Sequence, residues 1–270
     1  AYDSELSGVE GYRLMQKIPG GYWMPVSDKN EIGPRDGYDV ISTIDIELQD
    51  VAEYALLSQL QKHDADHGSV VVMDVATGRI RAIANLGKTE EGKYEENYNY
   101  AIGESTEPGS TFKLASAIAM LEDGLVTADE KLDVGDGVIY YNELRLEDSG
   151  DEGLGEITFR EAFEKSSNVG ISMLVNEHYK TDPGAFIDRL YRLGLNRQLD
   201  IEIKGEGKPD IKYTDSPLWS AVSLPMISIG YEVRLTPLQV LTFYNAVANN
   251  GKMVKPRFVE EISYHGESVK

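Results

Sequence analysis

Between Glu107 and Lys113 the chain reads EPGSTFK, which sets a serine hydroxyl and a lysine amine three residues apart directly after Pro108-Gly109. On a helix, residues three apart share a face with Cβ atoms about 5–6 Å from one another, so Lys113 can reach Ser110. A serine hydroxyl is a weak nucleophile until a base takes its proton. Lysine is that base only when neutral, which requires its ordinary pKa of about 10.4 to fall. Three units of depression correspond to about 4 kcal/mol. Burial and the positive end of a helix both act in that direction, and at a first turn Ser110 would place its own N–H among donors free to hold an oxyanion. Roughly one such pair is expected by chance in a chain of this length, and Ser110 is the only serine here followed three positions later by lysine.

A second group of residues fits the same chemistry. Ser166-Ser167-Asn168 begins 56 residues beyond Ser110 and is the only Ser-x-Asn in the chain. Serine and asparagine are ordinary helix caps, so the triplet also has a purely structural reading. Other candidates carry less. His63 and His67 stand four apart, a spacing that can bind metal on a helix, but they fall where a helix gives way to Gly68 and a strand, and no metal is assigned. His178 and His265 belong to no triad pattern, no Gly-x-Ser-x-Gly elbow occurs, and Gly103–Ser110 lacks the ending of a phosphate loop. No cofactor is called for.

The elements that must position these groups are partly legible. Residues 1 to about 40 are rich in Gly, Pro and polar residues and predict an irregular leading segment. Asp45 caps a helix with Leu48, Ala52, Ala55 and Leu56 on one face. Residues 69–85 predict a hairpin turning at Thr77-Gly78. A helix begins near Ser110, with Leu114, Ile118 and Leu121 facing inward, and ends at Gly124. Thr158 and Glu161 form a capping box for a short helix that stops at Ser166-Ser167-Asn168, after which Ile171, Leu174 and Val175 mark a further apolar face. Thr236-Pro237 opens a helix running through Val240, Tyr244 and Val247 to Asn250-Gly251.

With 270 residues, 41% of them hydrophobic, the chain can bury an ordinary core. Its 26 Lys and Arg stand against 46 Asp and Glu, a net charge of -20, which opposes binding to nucleic acid or acidic lipid. The acidic stretches 90–97 and 147–153 read as solvated loops. There is no cysteine, which excludes disulfides and a thiolate nucleophile. No run of about 18 apolar residues appears, and the chain begins in mid-pattern, as an excised piece of a longer protein would.

The chain resembles the transpeptidase domain of class B penicillin-binding proteins. EPGSTFK and KSSNVG (165–170) stand in family order with residues 36–53, 68–85 and 228–259, five blocks over some 220 residues. The resemblance implies an α+β fold of the penicillin-binding protein/β-lactamase type, an antiparallel sheet covered by helices. Residues 1–38 would be the linker from a pedestal region and residues 39–270 the transpeptidase domain. It implies a peptidoglycan D,D-transpeptidase, division-type, lying on the outer face of a bacterial cytoplasmic membrane, with the anchor outside this fragment. Ser110 would attack the penultimate D-alanine of a stem peptide ending in D-Ala-D-Ala, Lys113 would accept its proton, Ser166 would relay a proton to the leaving amine, and Asn168 would orient Lys113 and the substrate amide. Substrate would contact Ser110, Ser166 and Asn168. β-Lactam antibiotics would acylate Ser110, and membrane proteins of the division complex would be partners.

One family feature is missing. The motif Lys-Thr/Ser-Gly does not occur: Lys180-Thr181-Asp182 and Lys165-Ser166-Ser167 lack the glycine. Truncation before that motif is the economical explanation, and it predicts an incomplete sheet in which the 69–85 hairpin keeps an unpaired edge. The rivals are a serine β-lactamase or penicillin-sensing domain, which share the first two motifs, and a non-catalytic module of the division complex. No Glu-x-x-Leu-Asn segment follows Asn168, which counts against rapid hydrolysis.

Overall fold

The computed structural model describes residues 2–26, 31–150 and 153–269. The chain opens with α1 (Asp3–Leu6) and the hairpin β1 (Met15–Lys17) and β2 (Trp23–Pro25), then β3 (Asp39–Ser42). Helix α2 (Ile46–His63) is followed by β4 (His67–Met73), β5 (Ile80–Lys88) and β6 (Tyr94–Glu95). The short α3 (Tyr100–Gly103) leads to a 3-10 turn over Gly109–Phe112, continuous with α4 (Lys113–Glu122). Next come β7 (Lys131–Asp133), the hairpin β8 (Val138–Tyr141) and β9 (Leu144–Glu147), β10 (Glu156–Thr158), α5 (Phe159–Glu164), α6 (Asn168–Tyr179) and α7 (Pro183–Arg192). The remainder is β11 (Asp210–Ile211), α8 (Ser223–Ser228), β12 (Val233–Arg234), α9 (Pro237–Ala248), β13 (Val259–Tyr264) and β14 (Glu267–Ser268).

Asp45 does cap α2, accepting from the N–H groups of Glu47 and Leu48. The buried face, however, is Ala52, Leu56 and Leu60, with Leu48 and Ala55 turned to solvent. Leu56 and Leu60 lie on Ala84 and Leu86 of β5 and form one small core. Strands β4 and β5 pair antiparallel from His67↔Gly87 onward, so the hairpin is longer than its sequence pattern indicated. Asp74 organises its turn by accepting from the Thr77 N–H and hydroxyl. Among the described residues the sheet order is β4-β5-β6, with β4 at an edge. A second sheet, β14-β13-β3, ties Asp39–Ser42 to the far end of the chain.

The largest core gathers around α4, and the residues that face inward there are small. Ala115, Ser116, Ala117 and Ala119 are buried together with Met120. The short side chains on its buried face let α5, α6, α7 and α8 close in. Phe159, Ile171, Phe186, Ile187 and Ile227 supply the bulk. The expected inward stripe is corrected: Leu114 and Ile118 are only partly buried and Leu121 is 46% exposed. In α9, likewise, Leu238, Thr242, Asn245 and Ala246 are buried, whereas Tyr244 and Val247 face out. The expected capping box of Thr158 with Glu161 forms, and Thr236 caps α9 ahead of Pro237 as expected, with Gln239 closing a second capping box that the sequence reading did not name.

Candidate active site

Ser110 does not begin an α-helix. It lies in the 3-10 turn Gly109–Phe112, and the Lys113 N–H donates to the Ser110 carbonyl before α4 proper starts. Side chains at i and i+3 eclipse one another in a 3-10 turn, so this geometry stacks position 113 over 110 more directly than an α-helix would. Gly109 enters the turn at φ +56° and Ser110 is exposed.

The turn is held from outside by the segment 228–235. Gly109 N–H donates to the Gly230 carbonyl, and Thr106 and Leu235 exchange two backbone hydrogen bonds. Glu107 accepts the Glu232 N–H at 2.9 Å, and the buried Ser116 hydroxyl donates to the Ser228 carbonyl at 2.6 Å. Gly230 sits at φ +86°, and a Cβ there would fall 2.1 Å from the Gly109 carbonyl oxygen. Any larger residue would push the serine turn out of place.

Lys113 is 2% exposed. Its Nζ donates to the Ser166 carbonyl at 2.5 Å and to Ser166 Oγ at 3.0 Å. Burial brings its pKa down to about 8, opposed by the negative charge of Asp148. No hydrogen bond joins Ser110 Oγ to Lys113 or Ser166 among the described residues; in empty sites such bonds are commonly long and tighten when substrate binds.

Ser166 reaches Lys113 through a particular helix ending. Lys165 caps the end of α5, Ser166 follows at φ +55°, and the N–H groups of Ser166 and Ser167 donate back to the carbonyls of Phe163 and Ala162. This is a Schellman ending with serine where glycine is usual. A non-glycine residue in this region carries strain of about 1 kcal/mol or more. Ser167, 1% exposed, then caps α6 by accepting the Gly170 N–H at 2.8 Å. One helix therefore ends and the next begins with no slack between them.

Asn168 is the first residue of α6, and its amide donates to the Glu147 carbonyl at 2.8 Å. The structure thus brings Lys113 and Ser166 into contact, sets Ser110 one turn before Lys113, and places Asn168 two residues beyond Ser166 against the β8–β9 hairpin.

Sequence reasoning missed Asp148. It is half-buried rather than solvated, and it accepts from Ser167 Oγ and from the Val169 N–H. Nothing local marked it, since it lies among acidic residues of which Asp151 and Glu152 fall outside the described residues. His67 pairs with Glu104 at 2.9 Å and stacks on Tyr100, and no group of three or more His, Cys, Asp or Glu able to hold a metal occurs among the described residues. Lys180 ends α6 and Asp182 opens α7, so Lys180-Thr181-Asp182 is not on a strand.

Residues 68–270 match the family described as penicillin binding protein transpeptidase domain. The chain is 30% identical over 264 residues to penicillin-binding protein PbpB of Mycolicibacterium smegmatis, covering 96% of this chain and 40% of that protein. It is 27% identical over 256 residues to the peptidoglycan D,D-transpeptidase FtsI of Escherichia coli, covering 93% of this chain and 42% of that protein. The chain thus spans about 40% of the length of these curated relatives. Among solved structures, penicillin binding protein 3 of Mycobacterium tuberculosis complexed with ampicillin superposes with a TM-score of 0.75 at 28% identity, over 88% of this chain and 53% of that one. A peptidoglycan synthetase from Bifidobacterium adolescentis has the same fold, with a TM-score of 0.81 at 23% identity over 100% of this chain and 49% of that one.

Proposed function

This chain belongs to the penicillin-binding protein transpeptidase family, and we propose that its Ser110, Lys113, Ser166 and Asn168 form the acyl-transfer centre of a peptidoglycan D,D-transpeptidase. The observation that carries the proposal is a lysine ammonium, 2% exposed, held on the Ser166 hydroxyl one 3-10 turn from an exposed serine. A buried amine with its pKa brought to about 8 is neutral in a useful fraction of molecules near neutral pH.

In the proposed cycle neutral Lys113 takes the Ser110 proton as Oγ attacks the carbonyl of the penultimate D-alanine of a stem peptide. The proton passes through Ser166 to the departing nitrogen, the C–N bond breaks, and D-alanine leaves with an acyl-enzyme behind it. An amine from a second stem peptide then attacks the ester, gives up a proton by the same route and frees Ser110. The Ser110 N–H at the turn is a donor available to the oxyanion. A β-lactam follows the first half of the cycle and stops at the ester.

The finer reading is a division-type enzyme at the outer face of the cytoplasmic membrane, with membrane proteins of the division complex as partners. The E. coli relative carrying the name peptidoglycan D,D-transpeptidase supports the wall-synthesis assignment. No helix among the described residues is long and apolar enough to cross a membrane, so an anchor would lie outside this stretch. On the same reading residues 1–38 serve as a linker.

Labelling with a fluorescent penicillin tests the proposal. A single covalent adduct that persists for many minutes is the expected result. Rapid release of hydrolysed penicillin would instead identify a β-lactamase, and no adduct a non-catalytic module. Ser166→Gly separates fold from chemistry. Glycine is at ease at φ +55°, so the thermal midpoint should hold or rise, while acylation falls about 10²- to 10⁴-fold for want of the relay hydroxyl.

A further inference from the structure

Ser166 and Asn168 are held in place by a part of the molecule that takes no part in the proposed proton transfers. The β8–β9 hairpin leans on the first turns of α6 at three levels. The Tyr141 hydroxyl donates to Ser172 Oγ at 3.1 Å, the Glu147 carbonyl accepts the Asn168 amide at 2.8 Å, and the Asp148 carboxylate takes Ser167 Oγ at 2.8 Å and the Val169 N–H at 2.9 Å. The hairpin is itself fixed, with Ile139, Tyr141 and Leu146 packed into the main core and the Asp148 N–H bonded to the Gly137 carbonyl.

Resting on the transpeptidase reading, we propose that Asp148 is a positioning residue for acyl transfer: from the end of β9 its carboxylate locks the Ser166–Asn168 turn, so that the Ser166 hydroxyl and carbonyl stay on Lys113. The chemistry of the contacts favours a carboxylate. Ser167 is 1% exposed and its hydroxyl already accepts the Gly170 N–H, so burial leaves its proton in need of an acceptor inside the protein. One charged group satisfies that proton and a backbone donor of the α6 first turn, where negative charge is favoured. Ser166 is strained at φ +55°, and a strained turn persists only when its surroundings over-determine it.

Asp148 also has an electrostatic signature. Its field acts on Lys113 in the direction opposite to burial, holding the amine's pKa higher than burial alone would. The other groups facing Nζ are the neutral hydroxyl and carbonyl of Ser166. Removing the charge therefore lowers the Lys113 pKa, which a loss of packing alone would not do.

The test compares Asp148→Ala and Asp148→Asn with the parent protein in second-order acylation by fluorescent penicillin from pH 6 to 10. It also follows the titration of Lys113 by NMR of carbon-labelled lysine and the thermal midpoint. Asp148→Ala should lose about 10- to 100-fold at the plateau, the scale of a small misplacement of catalytic groups. Asp148→Asn, whose amide oxygen can still accept, should recover part of that loss and covers the case in which the alanine variant fails to fold. In both variants the acid limb and the Lys113 titration should move to lower pH. The inference is overturned if the Lys113 midpoint stays where it is, or if Asp148→Ala acylates within twofold of the parent. A shifted Lys113 midpoint in a protein that takes no penicillin would uphold the brace and sink the transpeptidase reading instead.

Discussion

Replacing Ser110 by alanine is expected to abolish covalent labelling by penicillin, with acylation falling on the order of 10⁴- to 10⁶-fold. The loss should be this large because the remaining groups cannot substitute for the nucleophile. Lys113 Nζ is committed to Ser166, and Ser166 Oγ, though close to that amine, belongs to a turn fixed by its own backbone bonds. Folding should be indifferent to the change: Ser110 is exposed and its hydroxyl makes no hydrogen bond among the described residues, and surface substitutions of this kind cost within about 0.5 kcal/mol. Intact-mass measurement after exposure to a β-lactam, alongside a thermal melt, reads both quantities. A mass increase in Ser110→Ala equal to that of the parent would remove Ser110 from the mechanism.

The second large effect concerns Lys113, where activity and stability should move in opposite directions. Burial brings its pKa from 10.5 to about 8, against the pull of Asp148. If the neutral amine is the base, acylation should rise about tenfold per pH unit below 8 and level off above it. Lys113→Met should lose about 10²- to 10⁴-fold. The sign for stability follows from proton counting. The unfolded chain keeps the lysine proton up to about 10.4, whereas the folded chain releases it near 8, so between these values unfolding takes up a proton and stability rises with pH. Below pH 8 the burial penalty is present in full. Lys113→Met, which removes the charge and keeps much of the volume, should therefore be more stable than the parent at pH 7, with the gap closing as pH climbs from 8 toward 10.5. Denaturant titrations at pH 7 and pH 10 check this, and an equal gap at both would contradict a buried, depressed lysine.

What the sequence by itself determined was local. Ser110 and Lys113 are three residues apart, and any helical turn puts them on one side. Thr158 with Glu161, and Thr236 with Pro237, announce helix starts because a cap is satisfied within four residues. The 69–85 alternation declares a hairpin because the strands are joined by their own turn. Ser166 and Asn168, by contrast, were candidates only through the resemblance of KSSNVG to a family motif, since as residues they read equally well as helix caps.

Only the tertiary structure decided how those pieces meet. Which face of α4 is buried could not be read from the size of its apolar residues, since the closest packing goes to alanines and Ser116 while Leu121 is left outside. The hold of Glu107 on Glu232 spans 125 residues, that of Lys113 on Ser166 spans 53, and that of Asp148 on Ser167 spans 19. Asp148 looked like one more solvated acid because nothing within a helical turn of it distinguishes it from Glu147 or Asp151. A short-range pattern records the geometry of the backbone near a residue. The burial that lowers the Lys113 pKa and the carboxylate that opposes it arise only when distant segments exclude water around the same amine.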